Sequence, residues 1–220
     1  RRFPKTPITM DQLIELQSIT CECRDWLKQA VQDGANILVC GGTGSGKTTF
    51  LNVLSQYIPS EERVITIEDS AELQLLGIPN LIRLETRNAN VEGCKEITIR
   101  DLIRTSLRMR PDRIVVGEVR DGAAYTMLKA WNTGHEGGAC TVHANGAVEG
   151  LTRIKSLAQE DPDAAGDIKE LIGEAIDVVI SIVHIELGDG KKGRMVNDII
   201  EVTGYDSQTD RYIIHHVDAQ

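Results

Sequence analysis

The chain has 220 residues, 41% of them hydrophobic, with 33 acidic against 24 basic side chains and a net charge of −9. No apolar run approaches the ~20 residues a membrane helix needs. Five scattered cysteines fit a reducing cytoplasm better than a disulfide framework, and the acidic balance argues against a general nucleic-acid surface.

The start, Arg1-Arg2-Phe3-Pro4-Lys5, leads into polar sequence rather than a secretory leader. Its first residue is not methionine, so further chain is expected upstream. Residues 1–8 read as an extended linker, because Pro4 and Pro7 discourage helix. Thr9 can cap a short helix carrying Leu13, Ile14 and Leu16. Thr20 can cap a second, with Trp26, Leu27, Ala30 and Val31 inward and Gly34 closing it. Residues 36–40 form an apolar run with the character of a buried strand, and a helix follows from Thr48 towards Pro59. Further strands are expected at 64–67 and 81–85. A helix is expected over 99–109, stopped by Pro111, then a strand over 113–118. Another helix follows over 123–131, then a strand over 139–143. Strands alternating with helices imply an α/β fold, a mainly parallel sheet with helices on both faces. The tail reads differently. Helices at 147–159 and 168–176 lead into β-branched segments at 178–186, 195–202 and 211–217, a β-meander attached to the core.

Gly41-Gly42-Thr43-Gly44-Ser45-Gly46-Lys47-Thr48 fits the phosphate-loop pattern G-x-x-x-x-G-K-[ST] at every fixed position, between the expected strand and the expected helix. Its residue types suit a triphosphate. Glycines allow successive backbone N–H groups to converge, and the helix start adds unpaired N–H groups and the positive end of its dipole. Gly42, Thr43, Gly44, Ser45, Gly46, Lys47, Thr48 and Thr49 are therefore candidate nucleotide contacts. Lys47 would reach the β- and γ-phosphates and the Thr48 hydroxyl Mg²⁺.

Hydrolysis also needs a metal and a positioned water, and acids at the C-terminal ends of parallel strands are the usual source. Glu68 and Glu118 stand there. Gly117 occupies the place where a Mg²⁺-associated Asp is expected. Glu118 is accordingly assigned to the attacking water, and Glu68 to Mg²⁺ through water. Thr133-Gly134-His135 and Thr141-Val142-His143 place two histidines in one glycine-punctuated segment. Their spacing is not that of a zinc hydrolase. His143 could sense the γ-phosphate, with His135 as a second candidate; His215 and His216 receive no role. Arg100, Arg104, Arg108, Arg110 and Arg113 form a basic run suited to phosphate or subunit contacts.

Together these segments resemble the secretion-superfamily traffic ATPases of type II and type IV secretion, type IV pili and conjugation. Four of that family's motifs occur in order: the phosphate loop, the Asp box Thr66-Ile67-Glu68-Asp69-Ser70-Ala71-Glu72-Leu73, an atypical Walker B ending in Gly117-Glu118-Val119-Arg120, and the His box from His135 to His143. Leu128-Lys129-Ala130-Trp131-Asn132-Thr133-Gly134-His135 and Glu201-Val202-Thr203-Gly204-Tyr205-Asp206 are similar to the TrbB-like conjugation branch. Arg83-Leu84-Glu85-Thr86-Arg87 is similar to the tight-adherence pilus ATPases.

The resemblance implies a RecA-like core over 9–146, preceded by the linker remnant 1–8 and followed by C-terminal helices and strands over 147–220. It implies ATP and Mg²⁺, an N-terminal domain that closes over the nucleotide, and phosphate-directed arginines among Arg2, Arg83, Arg87 and Arg120. It also implies a cytoplasmic homohexamer, peripheral to the inner membrane through machine subunits, with no direct nucleic-acid binding. Two other readings stay open. A RecA-like helicase or translocase would be stimulated by DNA, and a ring subunit would bind nucleotide with negligible turnover.

Overall fold

The computed structural model describes residues 7–89, 95–188 and 190–217. Two capped helices come first. Thr9 and Gln12 form a reciprocal capping box on α1 (Met10–Glu15), and the Thr20 hydroxyl accepts from the Cys23 amide at the start of α2 (Cys21–Gln32).

Strand β1 (Ile37–Gly41) is buried along its whole length because it is paired on both sides and covered on both faces. Parallel β5 (Ala139–Val142) lies on one flank. Beyond it come β4 (Arg113–Val116), β2 (Arg63–Glu68) and the edge strand β3 (Asn80–Glu85), all parallel. On the other flank, β6 (Val178–Glu186) pairs in parallel along β1, from Ile37↔Val178 to Gly41↔Ile182. It is followed by antiparallel β7 (Lys192–Asp206) and β8 (Arg211–Val217). The order is β3-β2-β4-β5-β1-β6-β7-β8. The C-terminal meander thus continues the core sheet instead of standing beside it.

Alternation along the strands divides the apolar residues between two cores. Leu38, Cys40, Ile65, Ile67, Ile114 and Val116 pack with α4 (Ile99–Ser106), α5 (Ala123–Trp131), α6 (Ala147–Ala158) and α7 (Ile168–Ala175). Ile37, Val39, Val64, Val115, Val178 and Ile180 pack with α1, α2 and α3 (Lys47–Leu54). Helices therefore cover both faces, as the alternating sequence pattern requires.

Where expected and observed elements differ, local chemistry explains it. The helix expected over 99–109 ends at Ser106 and tightens into a 3₁₀ turn, Leu107–Met109. Arg110 then takes φ 53 immediately before Pro111, a residue whose ring disfavours α conformation in its predecessor. The strand expected to reach Glu118 stops at Val116, and β7 is longer at both ends than 195–202. Three residues of the basic run are held by ion pairs within the chain. Arg100 reaches Asp161 at 3.2 Å and Arg104 reaches Asp163 at 3.1 Å. Arg113 is 3% exposed, pairing with Glu62 and donating to the Val31 carbonyl at 2.7 Å. Of the five, Arg108 and Arg110 stay exposed without an ion pair among the described residues. No helix of the described residues is long and apolar enough to cross a membrane.

Candidate active site

Parallel pairing brings the C-terminal ends of β1, β2, β4 and β5 to one edge of the sheet. That edge carries the phosphate loop, Glu68, Glu118 and His143.

The loop leaves β1 at Gly41 and turns sharply, the Ser45 amide donating to the Gly42 carbonyl at 3.2 Å. Gly44 and Gly46 adopt φ 74 and 100, left-handed values that glycine takes without steric cost. Gly46 is the N-cap of α3 and offers no side-chain cap, so the first-turn N–H groups of α3 face the loop. Lys47, only 9% exposed, donates its ammonium to the Gly41 and Gly42 carbonyls at 3.0 and 3.1 Å. Burial pulls its pKa below the usual lysine range, while the negative charge of Glu118 opposes that shift. Thr48 is half-buried and Thr49 exposed in the same turn.

Glu118 follows β4 and is partly open to solvent. Its Oε2 accepts from Arg120 Nε at 2.8 Å and also from the Arg120 terminal nitrogen. The segment that carries it is pinned to β5: the Thr141 hydroxyl donates to Gly117 O at 2.7 Å, and the Val119 amide to Thr141 O at 3.0 Å.

A family model described as type II/IV secretion system protein matches residues 1–206. This chain belongs to that family. The conjugal transfer protein TrbB of Rhizobium radiobacter is 37% identical over 218 residues, which cover 96% of this chain and 63% of that protein. The VirB11 ATPase from the Brucella suis type IV secretion system, solved in complex with sulphate, superposes with a TM-score of 0.69 at 32% identity, over 89% of this chain and 56% of that one. The pilus retraction motor PilT with bound ADP superposes with a TM-score of 0.67 at 26% identity, over 88% and 53%. This secretion-family chain thus has their RecA-like fold, and it spans between about half and two thirds of these relatives' own lengths.

Within the secretion-family chain, Glu68 is 4% exposed at the end of β2. Its Oε1 accepts from the Glu72 and Leu73 amides at 2.9 and 2.8 Å. Burial pushes its pKa above the usual carboxylate range in spite of those two bonds. One oxygen of Glu68 therefore shapes the 69–79 segment. That segment is also tied to α3, the Asn52 side-chain oxygen accepting from the Gln74 amide at 2.9 Å. Among the described residues no group of three or more His, Cys, Asp or Glu converges to hold a metal by itself. Mg²⁺ suits such a site, because it takes one or two protein oxygens and completes its shell with phosphate and water.

The two histidines separate. His143 is exposed one residue past β5, on the phosphate-loop edge, since Val142 pairs with Cys40. His135 precedes β5 and stands at the opposite edge, beyond a strand of four residues at about 3.3 Å each. Within this chain His143, and not the second candidate His135, stands on the edge of the phosphate loop.

The arginines divide as well. Arg120 is at Glu118. Arg83 lies exposed in mid-β3, and Arg87 donates to the Lys95 carbonyl at 3.2 Å just past that strand. Edge strand β3 is four strand spacings from β1, roughly 19 Å. Within one chain, Arg83 and Arg87 do not come to the phosphate loop. Arg2 lies outside the described residues.

Two residues that sequence reasoning passed over do touch the loop. Arg194 Nε donates to the Gly44 carbonyl at 2.9 Å, and His184 Nε2 lies 3.4 Å from the Thr43 carbonyl. They are 150 and 141 positions away along the chain, and only the unpredicted pairing of β6 with β1 brings them near.

Proposed function

We propose that this chain is the nucleotide-hydrolysing part of a Mg²⁺-dependent ATPase that drives a conjugal-transfer or type IV secretion machine. The observation that carries this reading is the gathering of Lys47, Glu118, Glu68 and His143 on one edge of a parallel sheet in a secretion-family chain. The working form is a homohexamer at the cytoplasmic face of the inner membrane, held there by partner subunits. Arg83 and Arg87 sit far from the loop of their own chain and are free to serve a neighbouring subunit's site.

In this reading the loop amides and the first turn of α3 bind the phosphate chain. The Lys47 ammonium leaves its two loop carbonyls for the β- and γ-phosphate oxygens. The Thr48 hydroxyl, together with the phosphates, would hold Mg²⁺, which would supply charge neutralisation at the phosphate oxygens. Glu118 orients the attacking water and accepts its proton as the water oxygen bonds to the γ-phosphorus and the bond to the β–γ bridging oxygen breaks. ADP and inorganic phosphate leave. Arg120 holds the Glu118 carboxylate in one orientation. Glu68 shapes the 69–79 segment through one oxygen and would help hold Mg²⁺ through water with the other, and His143 contacts the γ-phosphate.

Calorimetry with Mg·ATP and Lys47→Ala tests the binding half of this reading. Binding by the wild type that is lost in Lys47→Ala, with specific phosphate release rising with protein concentration, supports an oligomeric motor. Equal binding by both proteins contradicts it.

A further inference from the structure

Gly44 has φ 74 and, lacking a side chain, is free to turn its two flanking peptide planes. Those planes decide which way the loop's N–H groups point, and contacts from outside the loop settle them. A planar trans peptide sets its C=O and N–H in opposite directions. The Thr43 carbonyl faces His184, so the Gly44 N–H is turned away from the β6–β7 hairpin. The Gly44 carbonyl faces Arg194 at 2.9 Å, so the Ser45 N–H is turned away as well, into its bond with Gly42 O.

The two side chains act from one place. His184 and Arg194 are direct cross-strand partners in the β6–β7 register. The Arg194 stem also lies across Gly46, where an added Cβ would come within 3.1 Å of its Cδ. Both residues are exposed, so neither is needed to fill a core. The hairpin is rooted in the central sheet through β6 on β1, and the loop grows from that same β1.

We propose that Arg194, assisted by His184, is a positioning residue that fixes the peptide planes of the phosphate loop, and that nucleotide binding and the seating of the β6–β7 hairpin are thereby coupled. This rests on the phosphate-binding reading above. Coupling of this kind is reciprocal. Breaking the hairpin contact weakens nucleotide binding, and nucleotide binding holds the hairpin down.

The test measures Mg·ATP affinity by calorimetry for the wild type, Arg194→Ala, Arg194→Lys and His184→Gln, with hydrogen exchange of the 184–194 amides with and without Mg·ATP. Loss of a charge-assisted bond predicts affinity about tenfold weaker in Arg194→Ala. Arg194→Lys, which keeps a donor, should fall between, and His184→Gln should show a smaller loss. Mg·ATP should slow exchange in the hairpin of the wild type and not in that of Arg194→Ala. Wild-type affinity in Arg194→Ala, or hairpin exchange indifferent to nucleotide, overturns the inference. A wild type that binds no Mg·ATP shows itself before any variant is compared; it overturns the phosphate-binding reading and this inference together.

Discussion

The side chain of Glu68 fills the space that any side chain at position 117 would need. A Cβ built on Gly117 would come 2.8 Å from Glu68 Cγ and 3.1 Å from its Oε1. The absence of the usual strand-end aspartate in β4 is therefore one half of a steric exchange. The acid arrives instead from β2, the neighbouring strand, and its Oε1 is already committed to the Glu72 and Leu73 amides.

Gly117→Ala should push Glu68 off those two amides. Overpacking of this kind costs about 1–3 kcal/mol, so the melting temperature should fall and phosphate release should fall with it. Thermal melts paired with phosphate-release assays check this. Unchanged stability and turnover would mean that Glu68 does not need the vacant side.

Glu68 also makes a pH prediction. Its folded-state pKa is raised by burial above the usual carboxylate value, so the folded state binds this proton more tightly than the unfolded chain does. Its stabilising contribution is full below the unfolded value of about 4.3 and is lost as pH rises through the raised folded value. Glu68→Gln keeps an oxygen acceptor and removes the charge. The stability of the variant relative to the wild type should therefore improve with rising pH across that window and then level off. Urea melts from acid to neutral pH measure the difference, and a pH-independent difference would contradict it.

Arg113 illustrates a basic residue with a structural role. Its side chain pairs with Glu62 and donates to the Val31 carbonyl at the base of the sheet. Removing one partner of a buried pair typically costs 3–5 kcal/mol, so Arg113→Ala should lose about 3 kcal/mol or more. Exposed Arg108→Ala should stay within about 0.5 kcal/mol. Chemical denaturation of the two variants side by side decides it.

Cys40 ends one residue before the phosphate loop turns, and sequence alone leaves its reactivity open. Its thiol is buried and donates to the Gly146 carbonyl at 3.1 Å. Burial pushes its pKa up to about 12. Alkylation of the native protein at pH 8 should label exposed Cys21 and spare Cys40 and buried Cys140. Peptide mapping would contradict this if Cys40 reacted as fast as Cys21.

Much of the fold is legible along the chain because its signals are local. Threonine caps, β-branched runs and the glycine loop each act within a few residues, and they place α1, α2, β1, α3 and α5 closely. The positions of Glu68 and Glu118 on the phosphate-loop edge are legible because each ends or closely follows an apolar strand run, itself a local feature. Strand order is not. Nothing near His135 says that it stands at the foot of β5 while His143 stands at its head. Nothing near Arg83 says that four strand spacings part it from β1. Arg194 and His184 escape notice for the same reason, since their meeting with the loop depends on β6 choosing β1 as its partner. In the arginine run from 100 to 113, the ion pairs of Arg100, Arg104 and Arg113 with Asp161, Asp163 and Glu62 depend on tertiary packing and are not legible locally.

The measurement closest to the central claim is phosphate release from Mg·ATP by wild type and Glu118→Gln, with ATP affinity measured on the same samples. Turnover lost in Glu118→Gln by about 100-fold or more, with ATP still bound, is the predicted result. Turnover that survives Glu118→Gln would contradict the placing of the attacking water at Glu118, and with it the account of this sheet edge as a hydrolytic site.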